Sequence, residues 1–271
     1  MVASDDDGVS QAQQQRYERK YLFPEAQSLQ MRDYVKHYLV PDEYSAGRPN
    51  YSYPVYSIYL DSDELMTYWA TVHCEKNRFK LRLRYYDENP ASPVFCETKR
   101  RVNECILKQR VAVLKIGAPL LVSSYHPAPE HLLSPKPRNW LALQKFCQLM
   151  RGLHARPKMH IAYQREAWMH PENNSVRLTM DREIYGEQVA AVRLTTQLSA
   201  SCRPFGTQVL LELKYTDHFP KWFGDLVRHF NLVQVGAPKY CRCLEALGPE
   251  QVAATGDWNS ATAHAWIQKY F

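Results

Sequence analysis

The chain has 271 residues, a hydrophobic fraction of 45% and a formal net charge of +6. That length supports one large domain with its own core, and no run approaches the ~18 consecutive apolar residues of a membrane-spanning helix. The positive excess is mild, so its placement along the chain says more than its total.

The first stretch, "MVASDDDGVSQAQQQ", is acidic and then glutamine-rich, without a basic start or an apolar segment. It reads as a disordered leader over residues 1–15, not a secretory signal. A strand is expected over Tyr17–Phe23, and Pro24 opens a helix to about Leu39 with Leu29, Tyr34, Val35 and Tyr38 on its apolar stripe. Tyr53–Leu60 is β-rich, and Asp61-Ser62-Asp63 caps a short helix to about Cys74. Strands are expected at 78–86, 94–100 and 104–115, the first two separated by the turn-forming Asp87–Pro93. Residues 117–138 are weakly defined, and a helix follows near 139–153 with Trp140, Leu143, Phe146, Cys147 and Met150 at helical spacing. Three more strands are expected at 157–169, 175–185 and 207–216, then helices at about 218–231 and 239–247. Residues 16–250 make one domain, and 251–271 a tail that packs as a last helix. Many strands with few helices point to a barrel or a strongly curved sheet.

Seven cysteines, an odd number at irregular spacing, suggest reduced thiols in a soluble cytoplasmic protein. Cys241-Arg-Cys243 has no second pair and reads as structural thiols rather than zinc ligands. His154 and His160 make no HExxH motif, and the ten glycines form no phosphate-binding loop of the Walker type.

The distribution of charge is more specific. In "FKLRLRYY", residues 79–86, Lys80, Arg82 and Arg84 share one face and Phe79, Leu81, Leu83 and Tyr85 the other. The register recurs. Glu97, Lys99 and Arg101 fall together, as do Lys108 and Arg110, Arg177, Thr179 and Asp181, Glu212 and Lys214, and Arg16, Glu18 and Lys20. A single such strand is explained by the wet face of an antiparallel sheet. Six in one register suggest that the charged faces point inward and the apolar faces outward, beneath helices. Cations crowded together repel by roughly 4 kcal/mol per pair at 4 Å and an effective dielectric near 20. A lumen of this kind suits a linear polyanion such as a chain of phosphates.

In order and spacing, "YERKY", "YSIYLDS", "KLRLRYY", "CETKRR", "ILKQR", "YQREAW", "VRLTMDR" and "LELKY" resemble the VTC-type polyphosphate polymerase domain. That domain belongs to the triphosphate tunnel metalloenzyme superfamily, with the CYTH triphosphatases, and the resemblance covers about residues 16–245. It implies an α+β, mainly β fold: an eight-stranded antiparallel β-barrel tunnel with a basic lumen and helices packed outside. It implies transfer of the ATP γ-phosphate to polyphosphate, with Mn²⁺ or Mg²⁺ as cofactor and ATP and polyphosphate or pyrophosphate as partners. Lys20, Arg82, Arg84, Lys99, Lys108, Arg165, Arg177 and Lys214 would form the catalytic set. Lys239, Arg110 and Tyr163 would bind substrate, Tyr163 either stacking the adenine or serving as a core tyrosine. Glu212 would hold the metal, with Glu18 and Glu97 either assisting or acting as counter-ions, and Asp181 would pair with an arginine.

The chain departs from the CYTH hydrolases. Arg16 stands where they carry the first acid of Glu-x-Glu-x-Lys, and Lys214 where they tend to carry a second acid late in the chain. Fewer carboxylates argue against a two-metal, water-activating site. Gly236 precedes Lys239 where the polymerases often show another lysine. Arg165 shares parity with Met159, Ile161 and Tyr163, so a bulge or bend is expected to turn it inward. A tunnel triphosphatase and a non-catalytic polyphosphate-binding subunit are the competing readings. A nucleic-acid binder fits poorly, because the aromatics alternate opposite the charges. Coupling to transport would need a separate membrane partner.

Overall fold

The computed structural model describes residues 17–103, 105–173 and 175–253, so the expected leader, Arg16 and most of the expected tail helix lie outside the described residues. Strand β1 (Tyr17–Pro24) leads through a short 3-10 turn to helix α1 (Ser28–Val35), followed by the two-residue β2 (Val40–Pro41). Then come β3 (Ser52–Asp61), α2 (Met66–Val72), β4 (Arg78–Tyr85), β5 (Val94–Val102), β6 (Cys105–Val113), α3 (Gly117–Ser124) and α4 (Pro137–Leu153). The second half holds β7 (Arg156–Met169), β8 (Val176–Gln188), β9 (Gln208–Tyr215), α5 (Lys221–His229), β10 (Val233–Gln234), α6 (Lys239–Leu247) and α7 (Pro249–Val252). α3 lies in the stretch that propensity left weakly defined. On α1 the buried apolar side chains are Met31 and Val35, whereas Leu29 and Tyr38 of the expected stripe are exposed.

The strands form one antiparallel sheet in the order β10-β1-β9-β8-β7-β3-β4-β5-β6, with β2 also paired to β7. The expected closed barrel is therefore corrected: among the described residues β6 and β1 do not pair, and the sheet is not closed. Strand twist still curls it far round. Glu18 on β1 comes within 3.3 Å of Lys99 on β5, six places along the sheet.

Period-two alternation decides what each face holds. On the convex side Phe79, Leu81, Leu83 and Tyr85 are all at most 3% exposed, under α3 and α4. Burying a side chain of this size contributes about 1.5–3 kcal/mol. A second convex layer joins Phe23, Leu178, Met180, Leu211 and Leu213 to Met31 and Val35 of α1 and Phe223 and Leu226 of α5. Within it Glu166 is fully buried and takes both Arg32 (2.9 Å) and Arg182 (3.0 Å), with the Trp168 indole N–H donating at 2.9 Å. This network ties α1 to β7 and β8.

The helices do not all pack outside, as expected. α6, with α2 beside it, lies against the concave side, where Tyr240, Cys241 and Leu244 pack with Tyr59, Met159, Ile161, Tyr163 and Tyr68. One end of the hollow is thus apolar and the other charged. This also settles the parity of Arg165. Met159, Ile161, Tyr163 and Arg165 run along one face without a bend between them, and the register shift opposite Tyr163 falls on β8, where Glu183 has φ +51°.

Candidate functional site

Cross-strand register brings the cations together in rows. Across β4, β5 and β6, Arg82 stands opposite Glu97 and Glu97 opposite Arg110; one step along, Lys80 stands opposite Lys99 and Lys99 opposite Lys108. One step further Arg78 stands opposite Arg101. On the other wall Lys20 faces Glu212, and Glu18 faces Lys214, which in turn faces Arg177. Like charges directly opposite one another are unfavourable in a sheet, so a row of three lysines needs counter-charge.

Two buried carboxylates supply part of it. Glu97 is 2% exposed. Its Oε2 accepts from Arg82 Nε at 2.6 Å, with Arg84 at 3.7 Å, while its Oε1 lies 3.1 Å from Lys108 and 3.3 Å from Arg110. Burial works to raise this carboxyl, but Arg82, Arg84, Lys108 and Arg110 together hold it well below the usual range. Lys108 is pulled below its ordinary value by burial and by Arg84, Arg82 and Arg110 against the attraction of Glu97; its side chain is 39% exposed, so water in the hollow softens the effect.

Glu212 is the second centre. Lys214 lies 2.6 Å from its Oε2, Lys239 and Lys20 lie 3.3 and 3.5 Å from its Oε1, and Arg165 stands at 3.9 Å. Burial again opposes ionisation, and Lys214, Lys239, Lys20 and Arg165 keep Glu212 well below the usual carboxylate range. Asp181 pairs with an arginine as expected: Arg165 grips it through two 2.7 Å bonds, and Lys239 adds a third contact at 2.5 Å. Glu18 bridges Lys20 (3.2 Å) and Lys99 (3.3 Å), whose pull outweighs burial and takes it to about 2.

The two centres meet at Tyr163. Its hydroxyl accepts from Arg84 at 3.1 Å, and Arg165 and Lys239 stand 5.2 and 4.8 Å from its ring centroid. The ring is 4% exposed, which is the core-tyrosine alternative and leaves no open face for a base. Arg177 sits at the rim and pairs with Asp42 at 2.7 Å. Arg110 lies over the Phe95 ring, 3.5 Å from its centroid.

Among the described residues no group of three His, Cys, Asp or Glu side chains comes together as a metal cage. Glu18, Glu97, Asp181 and Glu212 each already face ammonium or guanidinium groups. The donor set fits a Mg²⁺- or Mn²⁺-type ion only where substrate phosphates supply most of the ligands, with Glu212 and Glu18, which share Lys20, as the protein's contribution. Glu97 is enclosed by four cations, Arg82, Arg84, Lys108 and Arg110.

Several contributors were given no site role from the sequence. Lys80 lies on the same parity as Arg82 and Arg84; its ammonium is 3.3 Å from Cys241 Sγ and 5.5 Å from the Tyr240 ring, and among the described residues no carboxylate pairs with it. The Tyr59 hydroxyl accepts from Arg82 at 3.0 Å, and the Tyr59 ring stacks on Tyr240 at 5.0 Å. Tyr240 donates to the buried Asp61 at 2.8 Å, which also takes the Thr67 and Tyr68 N–H groups. Asp61 thereby caps α2 and latches α6, carrying Lys239, into the hollow. Parity already puts Lys80 on the charged face; nothing local signals the Asp61–Tyr240 contact, 179 residues apart.

Fold and site together define an α+β protein whose antiparallel sheet curls around a cation-lined hollow. The chain belongs to the VTC domain family, whose model matches residues 15–248, and that family is associated with polyphosphate polymerase activity. No curated protein matches the chain. Among solved structures it is similar to the PH1819 protein of Pyrococcus horikoshii OT3, at 12% identity over 87% of this chain and 99% of that one, with a TM-score of 0.39.

Proposed function

We propose that the protein is a metal-dependent polyphosphate polymerase that transfers the γ-phosphoryl group of ATP to a polyphosphate chain held in the cationic hollow. The observation that carries this reading, within the VTC family, is the density of cations in register across the strands: Lys80, Lys99 and Lys108 share one row over three strands, and Arg82, Arg110, Lys20, Lys214 and Arg177 surround the carboxylates of the neighbouring rows. Phosphoryl transfer needs positioning and neutralisation of charge more than covalent chemistry from the protein. An oxygen of the acceptor's terminal phosphate forms the new P–O bond while the bond from the γ-phosphorus to the β–γ bridging oxygen breaks, releasing ADP. That oxygen is already anionic, so no strong general base is required. Arg82, Arg84 and Arg165 provide forked donors for nucleotide phosphates, and Lys20, Lys99, Lys108, Lys214 and Lys239 neutralise the acceptor and the transferring group. Arg177 and Arg110 contribute at the rims. A bound Mn²⁺ or Mg²⁺ would supply further charge neutralisation beside Glu212 and Glu18.

The test is incubation with ATP and Mn²⁺, with products separated on a gel that resolves phosphate chains. Wild type should yield long polyphosphate, and Lys99→Ala, at a side chain 44% exposed, should lose synthesis while remaining folded. Full activity in that variant defeats the assignment, and release of free phosphate without polymer points to a tunnel triphosphatase instead. One observation favours a second reading, a non-catalytic polyphosphate-binding subunit: the carboxylates of the hollow are all engaged by cations and make no metal cage among the described residues. Tight polyphosphate binding with no ATP turnover identifies that case.

A further inference from the structure

A pair of cysteines beside the hollow has no part in the phosphate chemistry. Cys202 is held against β8 by two backbone bonds: Gly186 N–H donates to the Cys202 carbonyl at 3.0 Å, and Cys202 N–H to the Gly186 carbonyl at 2.8 Å. Across from it on α6 is Cys243, whose carbonyl accepts from the Cys202 thiol at 3.7 Å. Both sulfurs lie over Gly186. A Cβ there would come 2.5 Å from the Cys243 sulfur and 3.4 Å from the Cys202 sulfur, so the two are no more than about 6 Å apart. Gly186 leaves the room that the pair occupies. Cys243 is fully buried, while Cys202 is partly exposed.

We propose that Cys202 and Cys243 form a reversible redox pair: a peroxide oxidises Cys202, and Cys243 closes on it to give a disulfide that staples α6 to β8.

The order of events follows from accessibility and acidity. Cys202 is the residue of the pair that solvent reaches. With the Cys243 thiol as donor to the Cys202 sulfur, the Cys202 pKa is lowered to about 7, which gives it thiolate character near neutrality, while that donation and burial push Cys243 well up. The Cys202 thiolate attacks one peroxide oxygen, the O–O bond breaks and hydroxide leaves, making a sulfenic acid. The Cys243 sulfur then attacks the Cys202 sulfur, the S–O bond breaks, and the hydroxyl departs with the Cys243 proton as water. Two electrons pass from the dithiol to the peroxide. The remaining described thiols lack one requirement or another. Cys96 and Cys147 are buried in the apolar core, Cys74 is exposed, and Cys241 on α6 accepts instead from Lys80. The helix so tethered begins at Lys239, whose ammonium lies between Asp181 and Glu212.

The experiment uses the full chain and is independent of the polyphosphate reading. Hydrogen peroxide is added in small molar excess, free thiols are alkylated, and unreduced digests are mapped by mass spectrometry. The expected result is a cross-linked peptide joining Cys202 to Cys243, reversed by dithiothreitol, with parallel loss of alkylation at both positions at least tenfold greater than at Cys74. In Cys243→Ser a sulfenic acid should be trapped by dimedone at Cys202; in Cys202→Ser none should appear at position 243. The wild-type map needs no variant, so a misfolded variant does not blunt the test. The proposal is overturned if both thiols stay alkylatable while Cys74 is oxidised, or if Cys202 proceeds to the sulfinic acid without linking to Cys243.

Discussion

Replacing Glu97 by Gln removes one negative charge from the centre of four cations while keeping the shape of the side chain. Arg82 stands at 2.6 Å, Lys108 at 3.1 Å, Arg110 at 3.3 Å and Arg84 at 3.7 Å. Each pair is worth roughly 4 kcal/mol at 4 Å and an effective dielectric of 20, but relaxation and water in the hollow reduce the sum. Removing one partner of a buried ion pair costs about 3–5 kcal/mol. In a domain of this size that corresponds to a fall in Tm of about 10 °C, measured by thermal unfolding in low-salt buffer. A second consequence separates a binding role from a purely structural one. If the hollow accepts phosphate chains, inorganic tripolyphosphate supplies the missing counter-charge and raises the Tm of Glu97→Gln by more than it raises that of wild type. A loss below about 1 kcal/mol would refute the claim that Glu97 neutralises the cluster. Equal stabilisation of both proteins by tripolyphosphate would refute the claim that the ligand shares those cations.

Among the described residues no carboxylate pairs with Lys80, so Lys80→Ala should weaken tripolyphosphate binding about tenfold by calorimetry, close to the 1.4 kcal/mol of one charge-assisted contact, and shift unfolding by less than about 0.5 kcal/mol. Glu166→Ala should cost about 3–5 kcal/mol by denaturant unfolding, because Arg32 and Arg182 are left without their buried carboxylate. On acidification, the native pKa of Glu18, about 2, lies below its ordinary value of 4.5, and Glu97 and Glu212 are also lowered. For depressed carboxylates the stabilisation is present above about pH 4.5 and is lost as pH falls toward 2, so Tm should hold near neutrality and drop across that window. Glu97→Gln should show a shallower drop, since one of the titrating groups is gone.

Period-two alternation made the strands legible. Residues 79–86 and 207–216 read correctly because a strand with one apolar and one charged face has few other ways to satisfy both. Parity likewise assigned Lys20, Arg82, Arg84, Lys99, Lys108, Glu212 and Lys214 to one side, and all of them meet in the hollow. Alternation is a local property, however, and it carries no information about what lies across the sheet. Whether the curl closes depends on accumulated twist, and here it stops with β1 and β6 unpaired and Glu18 reaching Lys99 by side chain alone. The same limit misjudged Arg165: its apolar neighbours in parity seemed to demand a bend, but the hollow is itself apolar at one end, where Tyr59 and Tyr163 meet α6. The position of α6 rests on Tyr240 reaching Asp61 and on Lys239 reaching Asp181 and Glu212, contacts between residues far apart in the chain. Which side chains are charged, and on which face of a strand, is written residue by residue; which of those charges become neighbours depends on how far the sheet curls and which helix enters it, and only the folded chain decides that.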